Sequence, residues 1–211
     1  MSRYAGPSCR LCRREGTKLF LKGEKCLTEK CPVERRAYPP GQHGPAQTRA
    51  RKASEYSKQL REKQKVKRMY GLTEKQFRNT FELATTEPGV KGTNLLVALE
   101  TRLDNIVYRL GFASSRKGAR QLVRHGHVQV NGGRVDIPSY RVVVGQEVRV
   151  IAESRENVSV LSGQQFHAKG APVKWLSVDG EKASGRLLEL PTRDAIPTAA
   201  QEQLIVELYS K

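Results

Sequence analysis

The amino-acid sequence predicts an α+β fold, in which a cysteine-bearing N-terminal segment and a helical domain accompany a small domain of helices and a β-hairpin. Three observations favour this fold. All four cysteines lie in the first 31 residues, in two close pairs. Apolar residues recur at helical spacing in several stretches on either side of the centre. The centre itself contains a basic helical pattern followed by alternating valines and an Asn-Gly pair, which is the strongest short-range hairpin signal.

The cysteines predict one zinc ion, bound as a tetrathiolate within residues 1–50. Two close pairs separated by a loop can place four thiolates around a tetrahedral ion, and the expected ligands are Cys9, Cys12, Cys26 and Cys31. Because so polar a segment buries little, metal binding would supply its folding energy. Disulfides, free thiols and an iron–sulfur cluster remain alternatives, although a cytosolic location disfavours disulfides.

A Pro- and Gly-rich stretch, residues 37–52, follows the cysteines, and its composition excludes regular structure. The stretch is either a plain linker or an extended arm that lies along a phosphate backbone. In the second case its donors would be Gln42, His43, Arg49 and Arg51.

Residues 51–98 are predicted to form a helical domain. The first helix, residues 52–69, lacks Gly and Pro and is strongly basic. The sequence Thr73-x-x-Gln76 is a capping box that opens a second helix.

A C-terminal helix, residues 196–211, is expected to complete that domain. A further capping box, Thr198-x-x-Gln201, would open it. Its apolar stripe, formed by Leu204, Ile205 and Leu208, is expected to pack against the thin apolar stripe of residues 52–84.

Residues 99–165 are predicted to form the second domain, which begins within an amphipathic helix over residues 94–110. A short helix then starts at Ser114 or Ser115, which are good N-cap residues. Its buried stripe is Ala119, Leu122 and Val123, and its cations are Arg116, Lys117, Arg120 and Arg124, of which the arginines recur every four residues.

The β-structure of this domain follows directly. Val128 and Val130 alternate with His127 and Gln129, which indicates a half-buried strand that the Asn-Gly turn reverses. A second hairpin is predicted over residues 142–151. Residues 166–195 are interpreted as a connecting segment, with the ring of Trp175 buried in a core.

The charge indicates a polyanionic partner. The formal net charge is +17, and residues 1–70 alone hold 19 Lys and Arg against 6 Asp and Glu, a net charge of +13. This excess favours nucleic acid or an anionic membrane. The sequence contains no membrane-spanning run and no apolar signal-peptide core, so we expect a cytoplasmic protein. Aromatic residues make up only 6%, which argues against an RNA-binding sheet of stacked aromatics.

Catalytic motifs of the common hydrolase, kinase and metalloprotease types are missing from the sequence. One alternative needs weighing, because pseudouridine synthases use an Asp in an Arg-Leu-Asp motif and Arg102-Leu103-Asp104 has those letters. The expected position of Asp104 within a helix of the small domain, with only some 60 residues after residue 150, favours a local ion-pair partner for arginines. We therefore expect a protein without enzymatic activity or small-molecule substrate.

The stretch RLDNIVYRLGFASSRKGARQLVRHGHVQVNGGRVDIPSYRVVVGQEV resembles the αL RNA-binding module. The resemblance extends to the cysteine segment, to YPPGQHG, to KQLREKQKVKRMYGLTEKQF and to PVKWL, and so covers nearly the whole chain. These stretches are similar to the S-four family of bacterial small-subunit ribosomal proteins, in its zinc-bearing branch. The rival class is an RNA-modifying enzyme that carries the same module.

This resemblance implies a function. Members bind small-subunit ribosomal RNA at a helical junction in its 5′ domain, nucleate subunit assembly and line the region where mRNA enters. They contact the small-subunit protein numbered five, and some bind their own mRNA. The candidate RNA contacts in this sequence are Arg116, Lys117, Arg120, Arg124, His127, Arg49, Arg51, Lys58, Arg61, Gln42 and His43.

Overall fold

A computed structural model describes residues 4–45, 54–168, 170 and 173–210 of the 211-residue chain. The chain divides into two compact units, residues 1–92 with 198–211, and residues 93–197. Helices together with one small antiparallel sheet confirm the predicted α+β class. Among the described residues, none of the helices has both the length and the apolar character that crossing a bilayer requires.

The first unit begins with two short helices around the cysteines. Helix α1 (Ser8–Glu15) ends at Gly16, whose left-handed φ of +68° closes the helix. A 3₁₀ turn over Gly23–Cys26 and helix α2 (Pro32–Arg35) follow. The small core beneath them consists of Cys12, Leu19 and Leu21, with partly buried Leu11, Val33 and Met69 against it.

Three further helices complete the first unit, namely α3 (Glu55–Met69), α4 (Glu74–Thr86) and α9 (Glu202–Tyr209). The capping box at Thr73 and Gln76 is confirmed, with both reciprocal hydrogen bonds at 3.4 Å. Helix α9 packs on α3 and also meets α4, where the Tyr209 ring stacks on Phe81 with centroids 4.6 Å apart. The predicted packing of the C-terminal helix on residues 52–84 is therefore confirmed, and of the predicted stripe Ile205 is fully buried.

The predicted second capping box is wrong. Helix α9 begins at Glu202, and its N-cap, Gln201, makes no side-chain capping hydrogen bond. The backbone N–H of Gln201 instead donates to Oε2 of Glu62 on α3, at 3.2 Å. A tertiary contact thus satisfies a helix-terminal donor that the local pattern assigned to Thr198.

In the second unit, two helices replace the single one predicted over residues 94–110. Helix α5 (Lys91–Glu100) stops before an extended Arg102, and α6 (Leu103–Arg109) then starts. The break is fixed from outside the segment, because the Leu103 N–H donates to the carbonyl of Tyr140 at 2.8 Å. Arg102 also forms an isolated antiparallel bridge with Arg141.

The basic helix and the hairpin after it are confirmed. Helix α7 (Arg116–Arg124) leads to β1 (Val128–Val130) and β2 (Gly133–Arg134). Asn131 and Gly132, with φ of +48° and +83°, form the turn between the strands. Both central residues have positive φ, as a type I′ turn requires.

The sheet contains three further pairings that local patterns did not predict. Strands β3 (Glu147–Val150), β4 (Leu176–Asp179) and β5 (Ser184–Leu187) extend it in the order β2-β1-β3-β5-β4, antiparallel throughout. The predicted hairpin over residues 142–151 is wrong, because the partners of β3 are β1 and β5. Residues 166–195 do more than connect, since β4 and β5 lie within them.

The core of the second unit lies between the sheet, helices α6 and α7, and helix α8 (Val158–His167). Its apolar side chains come from these helices and from strands β1, β3, β4 and β5, and the ring of Trp175 is buried there as predicted. This core fixes α7 against the sheet and leaves the polar side of α7 at the surface.

Candidate nucleic-acid interface

Helix α7 is positioned by its cap and its buried stripe. The Ser115 hydroxyl accepts a hydrogen bond from the Gly118 N–H at 3.3 Å. Ala119, Leu122 and Val123 are buried, as the periodicity predicts. The first turn contains no acidic residue, so the partial positive charge of this helix end adds to the charge of the basic side chains there.

The four predicted cations of α7 divide into two pairs. The side chain of Arg124 is 58% exposed, 3.8 Å from Asp136, and Lys117 is exposed as well. The guanidiniums of Arg116 and Arg120 are instead held against the protein, with side-chain exposures of 12% and 13%. The row that the sequence presents as equivalent therefore has an exposed half and a largely buried half whose guanidiniums are held by neighbouring side chains.

Arg120 is tethered by Asp104. Nη1 of Arg120 donates to Oδ2 of Asp104 at 2.9 Å, while Arg102 grips the same carboxylate with two hydrogen bonds of 3.1 and 3.0 Å. Burial lowers the pKa of Arg120, and the charge of Asp104 opposes that shift. The predicted role of Asp104 as an ion-pair partner for arginines is confirmed.

Arg116 is tethered through Glu100 and Asn105. Its Nε donates to Oδ1 of Asn105 at 2.8 Å, and Asn105 donates in turn to the fully buried carboxylate of Glu100 at 2.6 Å. Arg109 binds the same carboxylate with hydrogen bonds of 2.9 and 2.6 Å. The ring of Tyr108 lies 4.6 Å from the Arg116 guanidinium carbon, within cation–π range.

The residues that flank β1 add histidine and arginine to this surface. His127 is half-buried, and its Nδ1 lies 2.8 Å from the Ser154 hydroxyl. His125 is exposed. Arg134, which the sequence reasoning did not single out, donates to the His125 carbonyl at 3.3 Å and so lies next to the end of α7. The Asn-Gly turn was the available signal, because it folds β2 back towards that helix end.

The candidates of the first unit are less uniform. Gln42 and His43 are exposed, as is Lys58, whose ammonium lies 2.6 Å from Glu55 of the same helix. Arg61 pairs instead with the buried carboxylate of Glu15 at 3.4 Å. Arg49 and Arg51 lie outside the described residues.

The four cysteines are free thiols, of which Cys12, Cys26 and Cys31 are buried and Cys9 is half-buried. Burial raises the pKa of Cys12, and the nearby charges of the other three cysteines raise it further. The donors therefore match zinc in number and type, and they lie near one another. Within the described ranges, however, no three His, Cys, Asp or Glu side chains are arranged to hold a metal ion.

Comparisons with known proteins agree over the whole length. The family model described as ribosomal protein S4/S9 N-terminal domain matches residues 3–100, and the S4 domain model matches residues 101–148. The small ribosomal subunit protein uS4 of Thermus thermophilus is 56% identical over 212 residues, with 100% of both chains covered. That of Syntrophomonas wolfei is 57% identical over 211 residues, again with 100% of both covered. The chain therefore belongs to the family of small ribosomal subunit protein uS4.

Proposed function

We propose that this protein is a structural component of the small ribosomal subunit that binds ribosomal RNA directly. The observation that carries this proposal is its full-length membership of a ribosomal protein family. The finer proposal is that it binds a helical junction in the 5′ domain, nucleates assembly and lines the region where mRNA enters. Its site of action is then the ribosome in the cytoplasm.

The chemistry of the second unit supports RNA as the ligand. A capped helix presents cations from a rigid core, and guanidiniums suit phosphate because their planar forks donate parallel hydrogen bonds. Arg124, Lys117 and Arg134 are exposed on this surface, with Arg116 and Arg120 beside them. Such a surface reads backbone and shape rather than base sequence.

The partners beyond ribosomal RNA belong to the same proposal. We expect contacts with neighbouring small-subunit proteins, including protein five. Its own mRNA, which some family members bind, is a further partner that we propose. No enzymatic step is proposed, because the one candidate catalytic carboxylate, Asp104, is engaged by two arginines. The family model that matches residues 3–100 also describes a ribosomal protein.

The test is a comparison of ligands across a salt series. We expect a transcript of the small-subunit rRNA 5′ domain to bind at least about 1,000-fold more tightly than duplex DNA of equal length, a ratio typical of specific nucleic-acid binding. Both affinities should fall with salt as counterions are released. Equal affinity for the two ligands at physiological salt would overturn the proposal.

We further propose that Cys9, Cys12, Cys26 and Cys31 bind one zinc ion. The support is the donor set itself, four thiols within a segment whose apolar core is small. Zinc would hold this segment folded, as it does in other small thiolate sites.

Metal analysis of protein purified under reducing conditions tests the zinc proposal. We expect about one zinc per chain and negligible iron. Removal by a chelator should reduce the helical circular dichroism, and added zinc should restore it. Iron in place of zinc would indicate a cluster, and a metal content near zero in both analyses would refute a metal site.

A further inference from the structure

The two arginines of α7 with the least exposed side chains are held by acidic or amide side chains from the preceding helices. Arg120 is bound by Asp104 of α6, and Arg116 by Asn105, which is itself bound by Glu100 of α5. Both arginines therefore have a defined guanidinium orientation before any ligand arrives.

The contacts of Asp104 are the most constrained of this set. Its two carboxylate oxygens accept three hydrogen bonds, two from Arg102 and one from Arg120, and the residue is 5% exposed. Two guanidiniums thus share one carboxylate, and the trio carries a formal charge of +1. In water such a cluster would exchange partners, but here burial keeps it fixed.

The guanidinium of Arg120 keeps donors for a ligand. A guanidinium has five N–H donors, and Asp104 accepts from Nη1 alone. The remaining Arg120 donors have no hydrogen-bond partner among the described residues. Arg120 lies one helical turn from exposed Arg124, on the same side of α7.

We propose that Asp104 is a positioning residue for RNA binding, which fixes the Arg120 guanidinium in the orientation that meets a phosphate. This inference rests on the proposed function. A positioned fork loses less side-chain entropy on binding than a mobile one, so it favours a ligand whose phosphates match its geometry over any other polyanion. Asp104 therefore contributes to specificity, although its own charge repels RNA.

The direction in which one substitution changes RNA affinity distinguishes a positioning role from a purely electrostatic one. Asp104→Asn makes the protein one unit more positive, and electrostatics alone would strengthen RNA binding. Positioning predicts the opposite, a roughly tenfold weaker affinity for the 5′-domain transcript, comparable to losing one charge-assisted hydrogen bond. Affinity for duplex DNA, which measures non-specific attraction, should be unchanged or slightly higher.

Asp136→Asn is the matched control. It removes a carboxylate that likewise lies beside an arginine of α7, but that carboxylate is 61% exposed and lies 3.8 Å from the exposed Arg124. We expect its affinity for the transcript to be unchanged or slightly higher.

A double-mutant cycle identifies the residue through which Asp104 acts. In an Arg120→Ala background, Asp104→Asn should cause no further loss of affinity for the transcript. Arg102 also donates to the Pro138 carbonyl, at 3.5 Å. If Asp104 serves only to hold Arg102 in that position, the loss would persist in the Arg120→Ala background, and the inference would be overturned.

A second variant keeps the test valid if Asp104→Asn unfolds, which circular dichroism would show. Arg120→Lys retains the charge but replaces the planar fork with a single ammonium. We expect it to lose most of the affinity that Arg120→Ala loses, whereas near-wild-type affinity would contradict a role for orientation. If the wild-type protein itself does not prefer the transcript over duplex DNA, the proposed function fails. If that preference exists and Asp104→Asn behaves like Asp136→Asn, only the positioning role fails.

Discussion

Single buried carboxylates organise the cations of both units. In the second unit Asp104 and Glu100 hold the arginines of α7 and α6. In the first unit the side chain of Glu15, 1% exposed, pairs with Arg61 and Arg68 of α3. Burial raises the pKa of Glu15, and the two arginines only partly offset this effect. Arg61, a predicted RNA contact, therefore has a structural role that its sequence position does not reveal.

Substitution of Glu15 by Gln should change how stability depends on pH. Because the pKa of Glu15 is raised above its ordinary value of 4.5, the folded chain binds this proton more tightly than the unfolded chain. The contribution of Glu15 to the free energy of unfolding is then greatest below pH 4.5 and falls as pH rises through the folded pKa, by at most about 1.4 kcal/mol per pH unit. Gln does not titrate, so the stability of wild type minus that of Glu15→Gln should decrease from pH 4 towards pH 7.

Denaturant midpoints over that pH range would measure this difference. The control is Glu29→Gln, which changes an exposed carboxylate of the same segment and should stay within about 0.5 kcal/mol of wild type. Parallel pH curves for wild type and Glu15→Gln would show that Glu15 does not titrate differently in the folded state.

At the scale of elements, close approach between backbones decides where α8 lies. A Cβ atom added at Gly163 would stand 2.5 Å from the backbone nitrogen of Ala113 and 2.6 Å from its Cα. Neither atom can rotate away, so α8 can approach the loop before α7 only because residue 163 is glycine.

Alanine at Gly163 should therefore destabilise the protein, by about 1–3 kcal/mol, as overpacking commonly does. Gly118→Ala in α7 is the matched control, since its added methyl would meet atoms no closer than 3.5 Å. That change should stabilise by up to about 1 kcal/mol through helix propensity. Chemical denaturation of both variants checks the prediction, and effects of the same sign would contradict it.

We expect the apolar stripe of α9 to hold this helix against α3. Ile205 is fully buried where α9 packs on α3, so Ile205→Ala should lower the free energy of unfolding by about 2–5 kcal/mol. Gln203→Ala on the exposed side of α9 should change it by less than about 0.5 kcal/mol. Thermal unfolding followed by circular dichroism would compare the two, and equal losses would show that α9 does not dock through this stripe.

The elements that the sequence predicted well are those fixed by their own residues. Helix α7 and its turn follow from Ser115, the buried triad and Asn131-Gly132, all within one short stretch. The prediction errors arise where residues far apart in the sequence determine the local structure. The break between α5 and α6 at Arg102 depends on Tyr140 and Arg141, and strands β4 and β5 join β3 only in the folded sheet. Likewise, helical spacing placed Arg116, Arg120 and Arg124 together, but the tether at Asp104 arises only when α6 and α7 pack.

At the scale of the whole molecule, positive charge is distributed unevenly along the chain. Residues 1–70 hold a net charge of +13, whereas residues 152–211 hold 7 basic and 8 acidic residues, a net charge of −1. Each phosphate that a protein neutralises makes log affinity fall more steeply with log salt. The first unit should therefore supply most of the salt-dependent attraction to RNA. Helix α7, with the carboxylate that positions Arg120, should supply the specificity for the RNA that is bound.

Two triple variants with the same change in net charge would test this division. One replaces exposed cations of the first unit by glutamine, at Arg10, Lys30 and Arg36, and the other replaces exposed cations of the second, at Lys174, Lys182 and Arg186. Because counterion release counts only cations that reach phosphates, the first variant should reduce the slope of log affinity against log salt by up to about 2 to 3. The second should reduce it by less than about 1. Both should keep the preference for the 5′-domain transcript over duplex DNA, since neither alters α7. Equal slopes in the two variants would mean that net charge alone, wherever it lies, drives the association, and that the basic first third has no special role.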